Sequence, residues 1–175
     1  MARRPLIITR TRPYHITNRS NNREWFYVPL EDAWKIFASV LSRCADIYKT
    51  EIRSFVLMSN HYHLMAVTPL GNLSATVRYL QTETCRAIQR KCSRINHIFG
   101  GRYKWSALLT DSAVAYAYKY LSRNPVASGV STRVEDYRYG SAYYLNRGIE
   151  PPFPIVEEIN PRCELIPQDW QSRLE

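Results

Sequence analysis

His61 and His63 flank one bulky residue, Tyr62, in the stretch FVLMSNHYHLMAV from Phe55 to Val67. Val56 to Met58 and Leu64 to Val67 are rich in β-formers and divided by Ser59-Asn60, a pattern that predicts two antiparallel strands with a tight connection. Alternate residues of a strand share a face, so both imidazoles point the same way, about 7 Å apart along the chain, and can grip one metal ion. Imidazoles are also often buried for structural reasons, so H-x-H needs a third ligand before it reads as a metal site. The segment AYAYKYLSRNP supplies a candidate: Tyr116, Tyr120 and Asn124 fall at i, i+4 and i+8 on one helical face, with Tyr118 turned away. The Asn124 amide oxygen is an acceptable hard ligand for Mg²⁺ or Mn²⁺ and completes a set with His61 and His63. Tyr120, one turn earlier, would lie beside the metal, where a phenol is a candidate nucleophile. A tyrosine on an amphipathic helix is usually an aromatic packed with its tip wet, and it is the pairing with H-x-H that sets Tyr120 apart.

Positioning these groups requires strands and helices in a particular order. Tyr14 to Asn18 alternates as a first strand, with Tyr14, Ile16 and Asn18 on one side and His15 and Thr17 on the other. After Pro29, Ala33, Ile36, Phe37, Val40, Cys44, Ile47 and Tyr48 repeat at helical spacing, which predicts a first helix over Leu30 to Tyr48. The two histidine-hairpin strands follow. Beyond Pro69-Leu70-Gly71, Asn72 or Ser74 can cap a second helix whose buried stripe is Leu73, Val77, Leu80, Thr84, Ala87 or Ile88, and Ile95. Ser106 to Thr110 is short enough for a fourth strand, and a third helix runs from near Asp111 to Arg123, where Pro125 ends it. Strand, helix, strand, strand, helix, strand is the ferredoxin-like α+β arrangement: a four-stranded antiparallel sheet with two helices on one face. Tyr62, Leu64 and Ala66 then pack under those helices, and the histidine face is left to receive the added C-terminal catalytic helix.

The 175 residues, 45% hydrophobic with 13 Tyr, 5 Phe and 4 Trp, suffice for one well-buried core. The reading is one domain over residues 1–148 and an acidic, Pro-rich tail over 149–175. No apolar run approaches the roughly 20 residues of a membrane span, and Leu6-Ile7-Ile8 is too short for a signal-peptide core, so a soluble cytoplasmic protein is expected. Cys44, Cys85, Cys92 and Cys163 form no CxxC pair and read as reduced thiols.

The net charge of +9 is uneven: residues from Glu150 onward carry −4, leaving +13 on residues 1–149, enough to attract a polyanion. Arg3, Arg4, Arg10, Arg12, Arg19 and Arg23 precede the first acid, Glu24, and all six are arginine, the better phosphate fork. Arg78, Arg86, Arg90, Lys91, Arg94, Arg102 and Lys104, opposed only by Glu83, extend this surface along the second helix and the loop after it.

With these residues in view the sequence resembles the REP-associated tyrosine transposases, relatives of the single-tyrosine transposases of small insertion sequences within the HUH endonucleases. The resemblance rests on YHITNRSNNR (Tyr14 to Arg23), FVLMSNHYHL (Phe55 to Leu64), GNLS (Gly71 to Ser74), HIFGGRYK (His97 to Lys104), YLSRNPVASG (Tyr120 to Gly129) and EDYRYGSAYY (Glu135 to Tyr144), in order over nearly the whole chain to about Arg147. It implies that His61, His63 and Asn124 hold Mg²⁺ or Mn²⁺ and that Tyr120 is the nucleophile. The family usually has Pro where Ser59 stands, and commonly His-Leu where Ser122-Arg123 precede Asn124. The implied reaction cuts single-stranded DNA near a REP-like hairpin through a 5′-phosphotyrosine, leaving a 3′-OH that can attack back. Only on the order of one phenol in a thousand is ionised at neutral pH, so such a reaction calls on a metal. The arginine-rich arm and second helix would hold the phosphates, and exposed aromatics would stack unpaired bases. No GxxxxGK[ST] motif is present and an isoenergetic exchange of phosphodiesters needs no nucleotide cofactor.

Two rival readings share part of this pattern. A metal nuclease using water would keep the ligands but form no covalent protein–DNA species, and a hairpin DNA- or RNA-binding module would show no turnover. The expected partner is hairpin-bearing single-stranded DNA, with no membrane, and a monomer is favoured over a dimer that exchanges helices.

Overall fold

The computed structural model of the chain describes residues 5–95 and 97–156. In order it forms β1 (Tyr14–Arg19), α1 (Leu30–Tyr48), β2 (Glu51–Leu57), β3 (His61–Val67), α2 (Leu73–Cys92), β4 (Lys104–Ala107), α3 (Asp111–Ala127) and a short α4 (Ser141–Leu145). The strands make one sheet in the order β2-β3-β1-β4 with every neighbouring pair antiparallel, which is the ferredoxin-like arrangement expected from the sequence.

The period-2 pattern of the strands sorts the side chains into two cores. Tyr14 and Ile16 of β1 and Tyr62, Leu64 and Ala66 of β3 are buried with the apolar stripes of α1 and α2, including Phe37, Leu41, Leu73, Val77 and Leu80. Each such large side chain, fully withdrawn from water, contributes roughly 1.5–3 kcal/mol. On the opposite face Val56, Met58 and Met65 are buried against Ala117 and Leu121 of α3, with Leu108 and Tyr137 closing the cluster. Covered on both sides, β2 and β3 are buried along almost their whole length.

Met58-Ser59-Asn60 connects β2 to β3, with the Ser59-Asn60 turn closed by Met58 N–H donating to His61 O at 2.8 Å. It holds without a proline at position 59 because neighbouring chain braces it: Phe26 N–H donates to Ser59 O at 3.0 Å and Asn60 Nδ2 to Arg23 O at 2.8 Å.

Several boundaries differ from the sequence reading, each for a local reason. The fourth strand is Lys104–Ala107 rather than Ser106 to Thr110, because Leu108 turns into the second core and Thr110 becomes the N-cap of α3, accepting from Ala113 N–H at 3.2 Å. α3 continues through Pro125 to Ala127; so near the helix end the proline forfeits only one hydrogen bond, and its ring is buried. α2 stops at Cys92, where Ser93 takes a left-handed conformation (φ 54°), so Ile95 leaves the stripe and is 94% exposed. Ile47 likewise faces solvent at the end of α1.

The chain beyond α3 covers the free edge of β2, which would otherwise offer an unpaired backbone. Leu57 N–H donates to Tyr139 O at 2.9 Å, Ser141 Oγ bonds both the N–H and the carbonyl of Phe55, and Val156 N–H donates to Ile52 O at 2.8 Å. Past Gly148 the segment therefore stays on the body as far as Val156, with Phe153 3% exposed between Trp34 and Phe55. Arg3, Arg4 and the acidic tail from Glu157 lie outside the described residues. No helix among the described residues is long and apolar enough to cross a membrane.

Candidate active site

The β1–β3 register places His15, Thr17 and Arg19 opposite Met65, His63 and His61, so these side chains share the face turned away from α1 and α2. On β4, Lys104 is paired with Thr17 and Ser106 with His15, which carries the same face to the sheet edge. Ala117 and Leu121, 5% and 0% exposed, are the apolar contacts that set α3 down on Met65 and Val56. With that stripe fixed, Tyr120 and Asn124 sit one residue round the helix, above the histidines.

Asn124 bridges the two imidazoles: its Oδ1 lies 3.2 Å from His61 Nε2 and its Nδ2 3.3 Å from His63 Nε2. Tyr120 stands edge-on to His63, with ring centroids 5.5 Å apart, and to His15 at 6.0 Å. The Tyr120 side chain is 46% exposed, open enough to meet a substrate, whereas Tyr116 is 74% exposed and Tyr118 packs against the second core. The structure thus gathers His61, His63, Asn124 and Tyr120 at one point from residues that span 61 to 124.

The protonation pattern bears on whether a cation fits. Asn60 Nδ2 donates to the Arg23 carbonyl, which turns Asn60 Oδ1 toward His61 Nδ1 at 2.7 Å, so that ring nitrogen is the N–H donor. Burial pushes His61 below the ordinary histidine range, partly offset by the Asn124 contact and aided by Arg19, so its Nε2 carries a lone pair. That lone pair faces the Asn124 carbonyl oxygen, an acceptor against an acceptor. Burial first, then the His15 and His61 rings and Arg19, push His63 down to about 3, leaving it neutral as well. Two imidazole lone pairs and an amide oxygen converging in this way form a donor set suited to a hard or borderline divalent cation. Among the described residues no group of three or more His, Cys, Asp or Glu side chains is arranged to hold a metal, so a site here depends on the Asn124 amide.

Two residues join the site that the sequence reading left out of it. His15 Nε2 lies 2.9 Å from His63 Nδ1, and Asn60 orients His61. The signal for His15 was its place on the side of the first strand opposite Tyr14 and Ile16, since a ferredoxin-like order sets strands 1 and 3 side by side.

The arginines proposed for a polyanion divide between two surfaces. Arg19, exposed beside His61, and Lys104 share the histidine face, and exposed Arg23 leads into the loop that braces Asn60. Arg12 is ion-paired with Asp111 at the start of α3, and Arg10 lies over Gly71. Arg78, Arg86 and Arg90 form an exposed i, i+4 line on α2, on the layer behind the sheet, with Arg86 paired to Glu83 at 2.7 Å. Arg78 and Arg102 also line an open groove of about 670 Å³ between the arm at Leu6, Ser74 and Trp105. Trp25, 74% exposed, lies between Arg23 and Phe26, the two residues tied to the Ser59-Asn60 turn.

This sheet order, with a tyrosine-bearing helix laid over an H-x-H strand, defines an α+β fold. The sequence model of the IS200-like transposases matches residues 10–122, and the chain belongs to that family. Among solved structures, a REP-associated tyrosine transposase bound to a REP hairpin superposes with a TM-score of 0.71 at 17% identity, over 90% of this chain and 93% of that one. A second similar structure, described as a putative transposase from Deinococcus radiodurans R1, gives a TM-score of 0.46 at 16% identity over 70% of this chain and 95% of its own. No curated protein matches the sequence.

Proposed function

We propose that this transposase is a single-strand DNA transesterase that nicks and rejoins DNA beside a REP-like hairpin, with Tyr120 as the nucleophile acting within its own chain. The observation that carries the reading is the convergence of His61 Nε2 and His63 Nε2 on the Asn124 amide with Tyr120 against the same His63 ring. A divalent cation, Mg²⁺ or Mn²⁺, held by His61, His63 and Asn124, supplies Lewis-acid polarisation of the scissile phosphate when bound. Tyr120 Oη attacks phosphorus; its bond to phosphorus forms as the P–O3′ bond breaks, the phenol gives up its proton and the departing 3′ oxygen takes one. The product is a 5′-phosphotyrosine and a free 3′-OH, one phosphodiester in place of another, so no nucleotide cofactor is required. Reversal by the 3′-OH rejoins the strand.

The chain's own residues position the DNA. Arg19 and Lys104, on the histidine face, neutralise phosphates flanking the scissile one, and Trp25 offers a ring for an unpaired base beside the hairpin. The hairpin-bound relative supports a hairpin as substrate, since its fold is shared over most of both chains.

Incubating the protein with hairpin-bearing single-stranded DNA and Mn²⁺ tests this reading. An SDS-resistant adduct that disappears with EDTA is expected. Cleavage with no adduct would instead favour water as nucleophile, and binding without cleavage would favour a hairpin-binding module.

A further inference from the structure

We infer that His15 is a positioning residue for the candidate metal site, accepting the Nδ1–H of His63 and thereby holding that imidazole in the tautomer whose Nε2 lone pair faces Asn124. The inference rests on the metal reading above, but it concerns a residue of β1 that this reading does not use.

His63 has two ring nitrogens and both have a partner. Asn124 Nδ2 approaches His63 Nε2 at 3.3 Å as a donor, which requires Nε2 to be the acceptor. The neutral ring then carries its proton on Nδ1, and the group facing that nitrogen at 2.9 Å is His15 Nε2. With the proton on His63 Nδ1, the His15 nitrogen facing it at that distance is the acceptor. His61 reaches the same state by another route, its Nδ1–H donated to Asn60 Oδ1. Both candidate ligands are thus oriented from behind by one acceptor each, one from a loop amide and one from the neighbouring strand. A ligand histidine with its second nitrogen hydrogen-bonded is fixed in tautomer and ring orientation, and loss of such a partner typically lowers metal affinity 10–100-fold.

The position of His15 is as constrained as its chemistry. Its strand neighbours Tyr14 and Ile16 are fully buried, and Tyr14 Oη accepts from Thr9 N–H at 2.7 Å and donates to Ile7 O at 2.8 Å, so β1 cannot slide along β3 without breaking the core. The His15 ring also lies 5.1 Å from the His63 ring and 6.0 Å from that of Tyr120, so it touches a candidate ligand and the candidate nucleophile at once. Packing alone could explain the second contact. It does not explain a nitrogen-to-nitrogen approach of 2.9 Å.

Three variants separate hydrogen bonding from packing. His15→Phe keeps a ring and removes the acceptor; His15→Gln keeps an acceptor of similar reach and removes the ring; His15→Ala removes both. Nitrogen-15 NMR of the histidine side chains reads the tautomer of His63 directly, with no metal or DNA present. The expected result is an Nδ1–H His63 in the natural protein and in His15→Gln, with a shift toward Nε2–H in His15→Phe and His15→Ala. Mn²⁺ affinity, measured by the paramagnetism of the free ion, should fall about 10–100-fold in His15→Phe and His15→Ala and stay within a few-fold in His15→Gln. An Nε2–H His63 in the natural protein, or an unchanged tautomer in His15→Phe, overturns the inference, as does Mn²⁺ affinity kept by Phe and lost by Gln. Circular dichroism checks that each variant folds. A natural protein that forms no adduct with DNA would count against the transesterase reading, whereas the tautomer result bears on His15 alone.

Discussion

His61 Nε2 and Asn124 Oδ1 stand 3.2 Å apart across the gap between β3 and α3, and with His61 Nδ1–H donated to Asn60 Oδ1 the Nε2 of a neutral ring presents its lone pair to that carbonyl oxygen. Two lone pairs at that distance repel unless a cation or proton lies between them. If a divalent cation fills that role, His61→Ala and Asn124→Ala should each lower Mn²⁺ affinity and the cleavage rate by at least about 100-fold, since losing a direct ligand costs more than losing its orienting partner. Asn124→Asp, which keeps a hard oxygen, should retain much of the affinity. Calorimetric titration with Mn²⁺ checks this, and unchanged affinity in both alanine variants would move the metal elsewhere.

Trp25 is 74% exposed in a segment anchored to the turn that leads into His61. Stacking of a base on an aromatic is worth about 1–3 kcal/mol, so Trp25→Ala should weaken binding of a hairpin with an unpaired flank by roughly 5- to 150-fold. A blunt hairpin without the flank should bind as before. Equal losses on both substrates would remove Trp25 from the single-strand path.

Arg78, Arg86 and Arg90 lie behind the sheet, on the layer opposite the histidines. If the hairpin wraps round the sheet edge to reach them, replacing all three by Gln should reduce the slope of log affinity against log salt by about 2–3, close to one per phosphate contact. An unchanged slope would confine the DNA to the face of Arg19 and Lys104.

Phe153 packs against Trp34 and Phe55 at centroid distances of 5.7 and 5.8 Å and is 3% exposed. Phe153→Ala should cost about 3–5 kcal/mol, as for other large aromatic truncations in cores. Urea denaturation measures it. A loss under 1 kcal/mol would mean that the segment past Gly148 contributes little to the fold.

What the sequence made legible was the part encoded locally. The bounds of α1 followed from Pro29 and the Ala33 to Cys44 repeat, and H-x-H and Tyr-x₃-Asn each lie within a single element, so their shared faces could be read from periods of 2 and 3.6. Boundaries set by tertiary contacts were less readable. Leu108 belongs by composition to a strand, but burial beside Leu121 draws it out of one, and Pro125 is kept in α3 by a buried position that local propensity does not report. His15 and Asn60 escaped notice as site residues for the same reason: the one acts through a strand register and the other through an amide held by Arg23, 37 residues away.

The central claim is that Tyr120 becomes joined to the 5′ phosphate of the cut strand, and labelling each end of the substrate tests it most directly. A hairpin-bearing strand labelled at its 3′ end should carry its label into an SDS-resistant complex in the presence of Mn²⁺. Proteolysis and mass spectrometry should find the phosphonucleotide on the peptide containing Tyr120. The same strand labelled at its 5′ end should release a free fragment ending in 3′-OH, and Tyr120→Phe should bind the hairpin yet form no complex. A label that stays free from both ends, a complex that persists in Tyr120→Phe, or a modification mapped to Tyr116 would contradict the account.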